Sequence, residues 1–187
     1  MGATMSVTAA ELGLTAGTWN IDPSHSEVTF SIRHLMSKVR GSFTEFSGAI
    51  EIAEDVAAST ATAEIQLKSI DTRNADRDNH VRSADILDIE NHPAMTFQTK
   101  SVRVEGDTNL VDGELTIKGV SQPITLEVEF NGVGEDPWGG TRAGFTATGS
   151  INRKDYGIEF NVPLPGGQKA LLGDKVDIQL EIQAVRA

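Results

Sequence analysis

At 187 residues, with 39% hydrophobic and 23% charged side chains, the chain has the size and composition of one ordinary soluble domain and lacks an apolar run long enough to span a membrane as a helix. A formal net charge of −11, with its 16 Lys and Arg scattered, excludes a phosphate-tracking stripe and with it nucleic acid as a partner. The absence of cysteine removes disulfides, thiolate nucleophiles, iron–sulfur clusters and thiolate zinc sites together.

Residues 1–17 are small and polar, with a weak helical tint at Ala9 to Leu12, and read as a flexible arm ahead of one domain over 18–187. This opening has neither Lys nor Arg and no long apolar run, so a secretion signal is not expected and a cytoplasmic location is. From Glu27 onward the signal has period two. Val28, Phe30 and Ile32 alternate with Thr29, Ser31 and Arg33, and the pattern returns at Gly48 to Ile52 and at Ala61 to Ser69. It recurs around Met95 and Phe97, at Leu115 and Ile117, through Ile124 to Phe130, through Phe145 to Ile151 and through Val176 to Ile182. About eight strands result, parted by turn signals at 105–109, 118–123, 134–140 and 163–167. Such short gaps imply antiparallel hairpins. The single helical stretch expected, Asn74 to Leu87, has sparse apolar positions and suits a cover over a barrel mouth.

One apolar and one polar face per strand fits either a two-sheet sandwich or a closed barrel. The 5% aromatic content and the small inward residues Gly48, Ala63, Ala143, Ala147 and Gly149 favour a barrel with a void, since a solid core needs bulk.

Candidates for chemistry are few. The histidines His25, His34, His80 and His92 lack metal-pair spacing, so no metal site is expected. Asp22-Pro23-Ser24-His25-Ser26 reads first as a turn whose side chains bond their own backbone. Ser26, Ser37 and Ser47 lack a nucleophile elbow, and Gly132-Val133-Gly134 opens no helix, which argues against hydrolase and dinucleotide chemistry. The densest polar run, Asp71 to His80, is either a solvated helical face or a polar rim in which Arg77, Asp78 and His80 meet a ligand head group.

Several segments together carry a family likeness: Trp19 to Ser26, Phe30 to His34, Ser37 with Val39 and Gly41-Ser42-Phe43, Ser69 to Thr72 leading into Arg77 to His80, Gly113 to Val120, Gly149 to Arg153, Tyr156-Gly157 and Gly173 to Val176. In this order the chain resembles the YceI-like family of polyisoprenoid-binding proteins from Thr18 to its end. The resemblance implies an all-β fold, an antiparallel eight-stranded lipocalin-like β-barrel with a short helical cover, holding an amphiphile with a long prenyl or acyl tail. Many members carry a secretion signal and work in the periplasm, a pattern from which the N-terminus of this chain departs.

The resulting expectation is a lipid-binding module for an isoprenoid quinone, polyprenyl lipid or fatty amide, used in storage, sequestration or transport, with no cofactor and no catalytic residues. Strand parity places Phe30, Ile32, Ile65, Leu67, Phe97, Leu126, Val128, Phe145 and Ile178 on the lumen wall, with His34 also at the ligand and Arg77, Asp78 and His80 at the mouth. Phe43 and Phe46, three apart, require a bulge to face the same way. The alternatives are a lipid-acting enzyme using His25 or His34 as acid or base, which needs a carboxylate beside one of them, and a filled barrel with no ligand. Monomer and homodimer are both open.

Overall fold

The computed structural model describes residues 7–105, 108–166 and 170–187. Residues 1–6, the middle of the turn expected at 105–109 and the last residue of the 163–167 turn lie outside them. The alternating segments form β1 (Gly17–Ile21), β2 (Glu27–His34), β3 (Ser37–Phe43), β4 (Phe46–Ile52), β5 (Thr60–Gln66), β6 (Ile70–Asp71), β7 (Ala94–Glu105), β8 (Thr108–Ile117), β9 (Val120–Glu135), β10 (Thr141–Asn152) and β11 (Leu172–Arg186), with one helix, α1 (Ala75–Arg82), among the described residues.

Every strand pairing is antiparallel. The hydrogen-bonded order β1-β4-β5-β7-β8-β9-β10-β11 closes where β1 pairs β11, and β2, β3 and β6 continue from β11 beside β1, β4 and β5. Three staves are therefore each one bent strand, β1 with β2, β3 with β4, and β5 with β6, so the molecule is an eight-stranded closed barrel. Closure leaves no sheet edge along the wall.

The bends have local causes. Pro23 has no N–H to give the ladder, and the Asp22 carboxylate accepts from Ser24 N at 2.9 Å, turning the chain between β1 and β2. The ladder to β11 survives because Asp22 N donates to Gln183 O at 2.9 Å and Gln183 N donates to the Ser26 hydroxyl at 3.0 Å. In the next two staves the interruptions face each other: Thr44 N donates to Ser69 O at 3.3 Å and Gln66 N to Glu45 O at 2.9 Å. The two residues skipped at Thr44 and Glu45 put Phe43 and Phe46 on the same inner face, as their spacing requires.

The turn signal at 118–123 is shorter than expected. Only Lys118 and Gly119, with φ of 57° and 76°, make the two-residue turn, because a twist-compatible hairpin needs left-handed backbone at both positions. Pro123 lies inside β9 opposite Glu114, beyond the last β9–β10 partners at Glu127 and Thr148. Its missing donor faces no ladder there.

Two further expectations are corrected. The helix ends at Arg82, five residues before Leu87, where the Ser83 hydroxyl donates to His80 O at 2.5 Å and Asp88 takes a left-handed φ of 51°. The expected flexible arm is packed from Val7 on. Thr8 bridges Asp55, Ala9 N donates to Glu54 O at 2.9 Å, and Ala9 and Leu14 are buried against Trp19, Ile52, Ala143 and Ala184. Trp19 Nε1 donates to Thr15 O at 2.9 Å, which fixes this cluster as a cap over one end of the barrel. The apolar side chains of the segment, not its weak helical tint, decide the outcome.

Candidate functional site

The inner faces enclose a cavity of about 690 Å³. A single water needs only ~10–15 Å³ on such a measure, and whole small molecules occupy pockets of roughly 300–1,000 Å³. The barrel is hollow, against the filled-barrel alternative. Leu12, Leu14, Ile52 and Val56 line its capped end, Phe97, Val111, Leu115, Leu126, Val128, Phe130, Phe145 and Ile178 its middle, and Ile70, Thr72, Arg77, His80 and Val81 the end covered by α1. The wall is mostly hydrocarbon, with a few hydroxyls, Asn109 and the basic side chains His34, Arg77, His80 and Arg153, and its described residues include no Asp, Glu or Lys.

The structure brings together nearly all of the residues expected at the ligand. Phe30, Ile32, His34, Ile65, Leu67, Arg77, His80, Phe97, Leu126, Val128, Phe145 and Ile178 all line this one space. Asp78 does not. It is 7% exposed and turned to the backbone before α1, where its Oδ1 accepts from Thr72 N at 3.0 Å and from the Thr72 hydroxyl at 2.5 Å. Arg77 grips the same residue, its Nε donating to Thr72 Oγ1 at 2.8 Å and its Nη2 to Thr72 O at 2.5 Å. The pair thus clamps Thr72 from two sides, and Asp78 is structural. The i,i+1 spacing on a helix sends neighbouring side chains different ways, a signal present in the sequence.

Of the small residues read as inward, Ala63 and Ala147 line the lumen, and Gly149, together with Gly41 and Gly113, makes room for a large neighbour. A Cβ on Gly41 would lie 2.5 Å from the Phe30 ring, one on Gly113 2.4 Å from the Phe97 ring, and one on Gly149 2.8 Å from Leu126 Cδ2. Each glycine seats a large side chain flat against the wall, which keeps the lumen open. Ala143 lies instead in the cluster around Trp19.

Sequence reasoning missed Arg153. It is 3% exposed, lines the lumen near α1, and donates from Nη1 to Ile158 O at 2.9 Å and Phe160 O at 2.8 Å and from Nε to Gly173 O at 2.8 Å. Its Asn152 neighbour caps a short turn through Lys154 N, and that turn swings the guanidinium inward. Burial lowers the Arg153 pKa and pushes the Tyr156 hydroxyl up to about 12.

A second cluster lies outside the lumen. Asp22 Oδ2 stands 2.8 Å from His25 Nδ1 and 2.6 Å from Arg142 Nη1, and Arg142 Nε donates to Asp136 at 2.7 Å. Arg142 first, then Ser24 and His25, hold the Asp22 carboxyl well below the usual carboxylate range. The carboxylate an acid–base histidine needs is therefore present at His25. Yet Ser24 Oγ also meets His25 at Nδ1, at 3.1 Å, the same nitrogen that faces Asp22, which is not the relay of a nucleophilic triad. His25 is absent from the lumen wall, while His34, which is on it, has no carboxylate hydrogen bond among the described residues. No group of three or more metal-ligating side chains occurs among the described residues, and no described helix is long and apolar enough to cross a membrane.

With this geometry in view, the family model of the YceI-like domain matches residues 19–184. The chain belongs to the YceI-like family. It is 43% identical over 164 residues to a UPF0312 protein of Staphylococcus epidermidis, covering 86% of this chain and 93% of that one. It is 38% identical to the protein YceI of Escherichia coli, over 97% and 96% of the two chains. Among solved structures, BcnA of Burkholderia cenocepacia superposes with a TM-score of 0.74 at 21% identity, covering 87% of this chain and 98% of its own. A polyisoprenoid binding domain from Saccharophagus degradans, implicated in plant cell wall breakdown, superposes with a TM-score of 0.65 at 16% identity, over 92% and 100%. These likenesses carry the YceI-like barrel, and the lumen described above belongs to this chain.

Proposed function

We propose that the chain binds one long-chain isoprenoid-type or acyl lipid inside the barrel, for storage, sequestration or transport, and that it acts by binding and not by catalysis. The observation that carries this reading is the lumen of about 690 Å³ with a hydrocarbon wall free of acidic and lysine side chains. Each buried CH₂ contributes roughly 0.8 kcal/mol, so a prenyl or acyl tail gains affinity without any polar partner. The name of the Saccharophagus degradans domain supports a polyisoprenoid as the ligand class. An isoprenoid quinone, a polyprenyl lipid and a fatty amide all offer such a tail, and the proposed setting is the cytoplasm, with protein monomeric or as a homodimer.

A homologous series of acyl and prenyl chains tests the reading. Affinity should climb about fourfold per added CH₂ until the lumen is full and then level off, at a length set by a tunnel of roughly 25 Å. Affinity independent of chain length would refute it. The acid–base alternative at His25 has a carboxylate beside it but no access to the apolar space, and an enzyme working there would act on a solvent-borne substrate instead of a lipid in the barrel.

A further inference from the structure

The described ionisable side chains of the lumen wall lie at one end. They are His34, Arg77, His80 and Arg153, all basic, in a chain where acidic residues outnumber Lys and Arg 27 to 16. Contacts join them into one neighbourhood. Arg77 and His80 are a turn apart on α1, the His80 ring meets Phe160 edge-on at 4.7 Å, and Phe160 O accepts from Arg153 Nη1 at 2.8 Å. Arg153 Nε donates to Gly173 O, and the preceding Leu172 pairs with His34. The opposite end is closed by Leu12 and Leu14, and its polar wall residues, Ser59, Thr60, Thr99 and Asn109, are uncharged and offer an anionic head group no counter-charge.

Arg153 is also undercompensated. It is 3% exposed, its Nη2 has no hydrogen-bond partner among the described residues, and Asp174 Oδ1, half-exposed, stands 3.9 Å away, beyond hydrogen-bond range. A buried cation needs a paired anion to offset its desolvation. Burial already lowers the tendency of this guanidinium to hold its proton.

We propose that the α1 end of the lumen takes the anionic head group of a single-tailed amphiphile, a carboxylate or a phosphate, with Arg77 and Arg153 as its counter-charges. This rests on the lipid reading above and narrows it to acidic heads. The tail then runs from Arg77 and Arg153 toward Leu12 and Leu14, which fixes the ligand's direction in the barrel.

The test is binding at pH 8 of two matched pairs, oleic acid against oleyl alcohol and geranylgeranyl phosphate against geranylgeraniol. A hydrogen bond to a charged group is worth more than a neutral one, so the acidic member should bind about tenfold more tightly. Preference within both pairs, or within one, supports the proposal and identifies the head group as either oxyanion, as carboxylate or as phosphate. Equal affinities within both pairs overturn it and leave the lipid reading standing, whereas no binding of any of the four overturns the lipid reading itself. Arg77→Gln should shrink the ratio toward one, and Arg73→Gln, exposed and off the lumen wall, should keep it. An unchanged ratio in Arg77→Gln also overturns the proposal, and if that variant fails to fold, the wild-type ratio decides.

Discussion

Asp78 gives the most direct residue-scale prediction, because two donors of Thr72 depend on its one carboxylate oxygen. Asp78→Ala leaves both without their partner in a buried setting and should cost about 2–3 kcal/mol, seen as a marked fall in Tm. A Tm within a degree of wild type would show that water replaces the carboxylate and that the clamp is dispensable. The Asp22–Arg142–Asp136 cluster has a pH signature. Both carboxylates titrate below their ordinary value, Asp22 chiefly because Arg142 favours its charged form and Asp136 chiefly because the Gly140 N–H does, followed by Arg142. Stabilisation by a depressed carboxylate is present above the unfolded-state value and is lost as pH falls toward the folded one. Asp22→Asn should therefore lower Tm at neutral pH, and its deficit should narrow as pH drops below the usual carboxylate range. A deficit constant down to pH 2 would contradict that assignment.

At the scale of elements, the strands were legible because alternation leaves one apolar face per strand, whereas closure rests on the pairing of β1 with β11, which alternation alone does not distinguish from a sandwich. Where the staves bend was less legible. The Phe43 and Phe46 spacing announces its break, but the break at Leu67 to Ser69 depends on hydrogen bonds that join Ser69 to Thr44 and Gln66 to Glu45, partners more than twenty residues away in sequence that local pattern does not contain. The packing of Leu14 beneath Trp19 was hidden for the same reason: burial of a short segment is decided by the surface it meets. The helix was overextended because Val81 and Leu87 both point inward, though only Val81 is helical. The glycine seats yield an element-scale prediction. Gly113→Ala places a methyl group against the Phe97 ring, which must rotate into the lumen, so stability should fall by about 1–3 kcal/mol and long-tail binding should weaken. Unchanged tail binding would show that the wall yields outward instead.

For the whole molecule, twelve of the thirteen residues expected at the ligand converge on one space, because parity in a closed barrel assigns inner positions without knowledge of the fold's details. Arg153 escaped because nothing in Ser150-Ile151-Asn152-Arg153 tells a surface arginine from one swung inward by the turn after β10. The result is a container with a mostly hydrocarbon wall, a capped uncharged end and a basic end under α1. Without a ligand, such a mostly apolar space of about 690 Å³ would either stay empty, forfeiting packing contacts, or hold poorly bonded water. Native mass spectrometry of freshly purified protein tests this most directly. The account predicts a mass above that of the bare chain by one long-tailed lipid, released intact on activation and recovered by organic extraction. A protein that flies at its bare mass, and gains no adduct after incubation with prenyl or acyl lipids, would contradict it.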